Sequence, residues 1–234
     1  MSYDRNALGQ LVGFTVDGWK PALAPTDDVM VGRYCRVERL NPTLHAAPLL
    51  EANLRDPSGA NWTYLPYGPF DDLDSYRMWV EEMAPRTDPM FFTVVDAQLD
   101  RAVGVASYLR IDQDSGSIEV GHINYSPLLQ RQRAGTEAMY LMMKRVFDDL
   151  GYRRYEWKCN ALNQPSRVAA TRLGYTYEGT FRQSNVVKGR NRDTAWYSVL
   201  DTEWPRLKRA FERWLEPTNF DPAGTQHNSL TTDA

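Results

Sequence analysis

Cysteine and histidine are scarce in this chain. Its 234 residues include two cysteines, Cys35 and Cys159, and three histidines, His45, His122 and His227. Neither set has metal-ligand spacing, so no metal centre is expected. Two such distant cysteines fit a reduced cytosolic pair better than a disulfide. No apolar run approaches the roughly 20 residues that span a bilayer. The opening Met1-Ser2-Tyr3-Asp4-Arg5 lacks the apolar core of a secretory leader, so a cytoplasmic location without a membrane partner is expected. The net charge of −3 supplies no basic field for nucleic acid. There is no Gly-x-x-x-x-Gly-Lys or Gly-x-Gly-x-x-Gly run, which disfavours the common nucleotide-binding loops.

Aromatics, by contrast, are plentiful. Seven tryptophans and thirteen tyrosines exclude a disordered composition. The length fits one large domain with extensions. The expected division is an N-terminal arm over 1–30, a single domain over 31–216, and a polar, flexible C-terminal tail over 217–234.

Between the ends, strand and helix patterns alternate. Gly32 to Leu40 reads as a strand, and Asn41-Pro42-Thr43 opens a helix carrying Leu44, Leu49, Leu50 and Leu54. A loop of aromatics follows, Asn61 to Phe70, and a second helix over 71–84 carries Leu73, Met78, Trp79 and Met83. Met90 to Asp96, Ala102 to Ile111 and Ser117 to Tyr125 read as consecutive strands joined by hairpin turns, and hence antiparallel. The main helix runs from Ala134 to Leu150, with Met139, Met142, Val146 and Leu150 as a core stripe. Then come a strand (Tyr152 to Cys159), a helix capped by Asn163-Gln164-Pro165-Ser166 and closed by Gly174, and a long hairpin of strands over 175–187 and 192–200. The last helix, opened by Asp201-Thr202-Glu203, buries Trp204, Leu207, Phe211, Trp214 and Leu215.

The most informative stretch is Gln130-Arg131-Gln132-Arg133-Ala134-Gly135-Thr136-Glu137-Ala138. It lies between a strand and the start of a helix. Backbone N–H groups at such a junction, together with the helix dipole, make an anion site. Arg131 and Arg133 can pair with phosphate. An ordinary loop with solvated arginines has the same composition, so the segment alone leaves both readings open.

Taken in order, Glu119-Val120-Gly121-His122, the turn Gln130 to Gly135, Asn163-Gln164-Pro165-Ser166, Arg172-Leu173-Gly174-Tyr175, Glu178-Gly179 and Asp193 resemble the GNAT superfamily of acetyl-coenzyme A-dependent N-acetyltransferases. Within it, they resemble the branch of ribosomal-protein-alanine N-acetyltransferases. The resemblance covers roughly residues 30–200. It departs from the pattern at Arg133, which stands where the pyrophosphate loop usually has glycine.

The resemblance implies an α/β fold with a mixed, mostly antiparallel sheet of six to seven strands. That sheet would have a V-shaped splay and helices on both faces. It implies acetyl-CoA as co-substrate, with no metal. The cofactor would be held by Gln130, Arg131, Arg133, Ala134, Gly135, Thr136, the backbone of Ile123 and Tyr125, and Asn163. A backbone N–H in the splay would polarise the thioester carbonyl. Ser166 becomes the candidate acid for the departing thiolate, although Asn163 and Ser166 serve equally as plain helix-capping residues.

The base is less well defined. Relatives in this branch carry a carboxylate on the strand after Glu-Gly, and here Asn185 holds that place. Glu119 and His122 are the candidates that stand in its stead, and strict alternation would point them to opposite faces. Trp62, Tyr64, Tyr67 and Asn185 would line the acceptor mouth, or the aromatics would simply pack beneath the helices. An α-amine of pKa about 8 is about one-tenth neutral at pH 7, whereas a lysine amine of pKa about 10.4 is neutral in fewer than about one molecule in a thousand. A site without a dedicated carboxylate base therefore suits a protein N-terminus or a small-molecule amine. The expected assembly is a monomer or homodimer. The competing class is a non-catalytic acyl-CoA-binding or interaction module on the same scaffold.

Overall fold

A computed structural model describes residues 3–231. The elements run in the order β1 (Tyr3–Arg5), β2 (Leu11–Gly13), β3 (Met30–Val31), β4 (Cys35–Arg39), α1 (Pro42–Asn53), α2 (Leu73–Met83), β5 (Met90–Asp96), β6 (Arg101–Asp112), β7 (Ser117–Tyr125), α3 (Arg133–Lys144), β8 (Arg154–Asn160), α4 (Gln164–Arg172), β9 (Thr176–Val187), β10 (Arg190–Leu200) and α5 (Trp204–Trp214). The main sheet has eight strands in the order β3-β4-β5-β6-β7-β8-β10-β9. It exceeds the expected six to seven because the two-residue β3 joins its edge. Every neighbouring pair is antiparallel except β7–β8, which is parallel.

Two apolar clusters divide the faces. One face packs α3, α4 and α5 through Met139, Met142, Ala170, Leu207 and Phe211 against Tyr108, Val120 and Tyr155. The other packs α1 and α2 through Leu49, Tyr76 and Val80 against Phe91 and Val105. The methionine stripe is core, as its spacing predicts. Leu49, Leu50, Trp79 and Met83 are buried as expected, whereas Leu44, Leu54 and Met78 are exposed. The main helix stops at Lys144 and closes in a single π-turn over Arg145–Asp149.

The first strand of the domain begins three residues later than expected. The N–H groups of Arg33, Tyr34 and Cys35 donate to the carboxylate of Glu137 on α3, at 2.6–2.8 Å, so Arg33 and Tyr34 stay outside β4, which opens with Cys35 opposite Asp96. A Cβ on Gly32 would lie 2.4 Å from that carboxyl carbon. Glu137 thereby fixes the entry of β4 to the first turns of α3.

The arm contains a hairpin, β1–β2, that no alternation in the sequence predicts. The tail is tied down over its described part. Phe220 and Leu230 are buried, and the Asn219 amide bonds to Trp214 and Asn228. Cys35 and Cys159 are buried and free. Among the described residues, no helix is long and apolar enough to cross a membrane.

Candidate active site

β7 and β8 pair only from Ser117–Arg154 to Val120–Trp157. Both strands run on, β7 to Tyr125 and β8 to Asn160, so they diverge and open a wedge. On its other side β7 pairs with β6 around a bulge, in which His122 and Ile123 have no partner. His122 takes a left-handed φ of 51° there. The extra residue resets the alternation. Glu119 and His122 therefore lie on the same face, the one that carries α1 and α2, and not on opposite faces as strict alternation predicts. Past the bulge, Ser126 N–H donates to Val103 O on β6. Backbone groups alternate along a strand, so those of Ile123 and Tyr125 face the wedge.

The turn 130–135 closes the wide end. Arg131 adopts a φ of 61°. A Cβ on Gly135 would sit 3.0 Å from Leu129 O and 3.1 Å from the Tyr125 ring, so only glycine lets α3 approach so closely. Asn41, Asp72 and Asn163 cap α1, α2 and α4 with side-chain oxygens, whereas Gln132 supplies no such bond to α3. The first N–H groups of α3 are left for an anion. Ala134 and Thr136 are buried in this first turn, and Arg172 donates to the Thr136 hydroxyl at 3.1 Å. Arg133 is helical, but its guanidinium stacks on Tyr34 and Phe220 at 4.3 and 5.5 Å. Arg131 and Gln130 are exposed. Gln130 Nε2 and Asn61 Nδ2 donate to Tyr125 O at 2.7 and 3.0 Å, so one backbone acceptor expected for the cofactor is occupied by side chains.

On the β8 side, Asn163 Oδ1 accepts from Ser166 N–H at 3.2 Å as a helix cap, and its Nδ2 has no hydrogen-bond partner among the described residues. Ser166 Oγ accepts from Trp157 Nε1 at 3.0 Å, and its hydroxyl also hydrogen-bonds the Cys159 side chain.

The two candidate bases are shifted in opposite directions, Glu119 upward and His122 downward. Glu119 Oε2 holds Arg110 at 2.7 Å and Lys158 at 3.0 Å. A proton arriving there would disrupt both ion pairs. Burial raises the proton affinity of Glu119, and the two cations oppose it. His122 Nδ1 lies 3.1 Å from the Tyr67 hydroxyl. Burial, with Arg110, Arg192 and Arg86 nearby, pushes its pKa down to about 4.

The aromatic loop divides between core and mouth. Trp62 is buried beneath Gly68 against Tyr67, Phe70 and Tyr76, which corrects the expectation that it contacts an acceptor. Tyr67 reaches His122. Tyr64 OH donates to Leu162 O and joins the loop to the segment before Asn163. The tip of the β9–β10 hairpin arches over, and Lys188 Nζ donates to Trp62 O at 3.0 Å and Gly68 O at 2.7 Å. Asn185 is exposed on β9, opposite Arg192.

Sequence reasoning missed Arg110, Lys158, Arg192 and Trp196, which surround the mouth. The period-two runs Glu156-x-Lys158 and Arg192-x-Thr194-x-Trp196 could have marked them as one face.

Comparison with known proteins gives a consistent picture. The acetyltransferase (GNAT) domain family matches residues 36–176. A GCN5-related N-acetyltransferase from Brucella melitensis is 45% identical, with a TM-score of 0.90 over 92% of this chain and 97% of its own. The uncharacterized N-acetyltransferase p20 of Bacillus licheniformis is 26% identical over 60% of this chain and 80% of its own. The microcin C7 self-immunity acetyltransferase, solved in complex with acetyl-CoA and AMP, has a TM-score of 0.64 at 17% identity over 76% of this chain and 98% of its own, a likeness of fold alone.

Proposed function

The chain belongs to the GNAT family of acetyl-CoA-dependent N-acetyltransferases, and on that premise we propose that it acetylates a primary amine by direct attack, with both substrates bound together. The proposed acceptor is a protein or peptide α-amine, as in the ribosomal-protein-alanine branch that its motifs resemble, or a small-molecule amine. The observation that carries this reading is the wedge between β7 and β8, with the uncapped start of α3 at its wide end.

When bound, acetyl-CoA supplies the activated acetyl thioester. The N–H groups of Arg133 and Ala134 suit its pyrophosphate, with Arg172 beside them as a further cation. The backbone of Ile123, unpaired in the bulge, suits its amide arm and gives an N–H for developing oxyanion charge. The free Nδ2 of Asn163 adds a donor at the β8 side. Ser166, oriented through Trp157 and Cys159, supplies its hydroxyl proton to a departing thiolate. Asn185 stands where the resembled branch has a carboxylate and His122 is a weak base, so in this reading the acceptor arrives largely deprotonated. That condition favours an α-amine over lysine.

The same missing base supports the second reading, a non-catalytic acyl-CoA-binding module. A thiol-release assay with peptides bearing a free α-amine, and with N-terminally blocked lysine peptides, separates the two. Release with free α-amines and little with lysine supports the proposal. Acetyl-CoA binding without release from any amine supports the module.

A further inference from the structure

Resting on the acetyl-transfer reading, we propose that Arg192 recognises an anionic oxygen group, carboxylate or phosphate, carried by the amine acceptor.

The argument starts from the strand rows. Opposed residues of β8 and β10 include Lys158–Trp196 and Asn160–Thr194. Arg192, Thr194 and Trp196 therefore share one face with Lys158 and Glu156. The Arg192 Nε donation to Thr194 Oγ1 at 3.2 Å fits that placement. This is also the face of Glu119 and His122, the part of the sheet that α1 and α2 leave uncovered.

Charge on this floor is balanced up to Arg192 and not beyond it. Arg110 and Lys158 share Glu119, Lys158 also holds Glu156 at 2.6 Å, and Arg154 joins Glu156 to Glu178. Three cations meet three carboxylates. Arg192 is half-buried and makes no close ion pair among the described residues; Glu119, already shared by Arg110 and Lys158, acts on it only from a distance, and Arg110 opposes it. Its cross-strand neighbour Asn185 is neutral. The Trp196 ring carries Lys158 at 3.7 Å, and its own buried Nε1–H has no acceptor.

A partly desolvated guanidinium whose terminal nitrogens bond to nothing among the described residues presents the fork that matches a carboxylate or phosphate edge. Its uncompensated charge repels polyamines and aminoglycosides from the mouth. Nearby His122, already held neutral by burial, does not compete for the anion.

The test uses matched acceptors that differ by one anionic group. Glycylglycine is compared with glycylglycine amide, and phosphoethanolamine with ethanolamine, in the full chain and in Arg192→Gln and Arg192→Lys. We expect one acid to exceed its neutral partner in kcat/KM by about tenfold, equivalent to about 1.4 kcal/mol. Whichever pair shows the gap identifies carboxylate or phosphate. Arg192→Gln should erase the gap and Arg192→Lys should retain part of it, with acetyl-CoA binding and the melting curve reporting an intact fold. Equal rates within both pairs, or a preference that survives in Arg192→Gln, overturns the proposal.

If no amine turns over while acetyl-CoA still binds, the acetyl-transfer reading fails separately. Calorimetric titration of the CoA-loaded protein with the same pairs then decides about Arg192. Acid-selective binding lost in Arg192→Gln upholds its role, and binding without selectivity, or none, ends it.

Discussion

The Arg133 guanidinium lies 4.3 Å from the centroid of the Tyr34 ring, with Phe220 at 5.5 Å beyond it. This pairing shows where the side chain goes when an arginine stands in the place that a glycine usually takes in the resembled loop. Its backbone is the first residue of α3, and its side chain leaves the turn to hold the C-terminal segment. Arg133→Ala should cost about 1 kcal/mol by loss of the cation–π contacts, lowering Tm by roughly 2–4 °C. The KM for acetyl-CoA should stay within about twofold of its starting value, because less than about 0.4 kcal/mol of binding is then involved. A tenfold rise in that KM would show that the side chain serves phosphate instead.

Asn163 has two functional ends. Its Oδ1 caps α4, which is worth about 1 kcal/mol, and its Nδ2 is free. Asn163→Asp retains the cap oxygen and removes the amide donor. It should keep Tm near that of the parent while raising the KM for acetyl-CoA by about tenfold, as loss of a hydrogen bond to the cofactor predicts. Asn163→Ala should lose on both measures. If Asn163→Asp binds acetyl-CoA normally, the residue is only a cap.

Lys188 fastens the hairpin tip to the aromatic loop through two carbonyl oxygens. Lys188→Met removes both bonds and should loosen the acceptor mouth. Steady-state kinetics should show the acceptor KM rising several-fold, the order of one lost charged hydrogen bond, with the acetyl-CoA KM unchanged. Equal change in both would place the effect in the general fold.

His122 gives a pH signature. Its pKa falls from the ordinary 6.5 to about 4 in the folded chain, so the unfolded state takes up a proton first as the pH drops. Its contribution to stability is intact above about pH 6.5 and is lost as pH falls toward 4. His122→Gln should narrow the loss of Tm across that window relative to the parent, since His45, also lowered by burial, is common to both proteins. Identical Tm–pH curves would remove His122 as a titrating group. Between pH 6 and 8 the acetylation rate should rise only with the neutral fraction of the α-amine, with no further step from His122, which is neutral throughout.

Much of the fold was legible because its signals are local. Asn41 and Asn163 mark helix starts, 188–191 marks the turn of the last hairpin, which the structure tightens to Lys188-Gly189, and the methionines repeat at helical spacing. The wedge was legible only through the order of motifs. What escaped depends on contacts distant in sequence. Glu137 captures three N–H groups about a hundred residues earlier, and no local pattern reports that. The bulge at His122 breaks the period-two rule with one non-glycine residue. The charge floor arises from five strands whose register the sequence does not state, so nothing local singled out Arg192 or Lys158. Trp62 looked like a mouth residue because burial depends on how Gly68 folds over it.

The most direct test of the account is thermal unfolding of the chain in a titration with acetyl-CoA. At about a hundredfold excess over Kd, binding to the wedge and the α3 turn should add about 2.7 kcal/mol, a rise in Tm of roughly 5–10 °C for a chain of this size. Gly135→Val, which crowds Leu129 O and the Tyr125 ring, should abolish that rise. An unfolding temperature that does not move up to millimolar acetyl-CoA, or a rise that Gly135→Val leaves intact, would contradict the account.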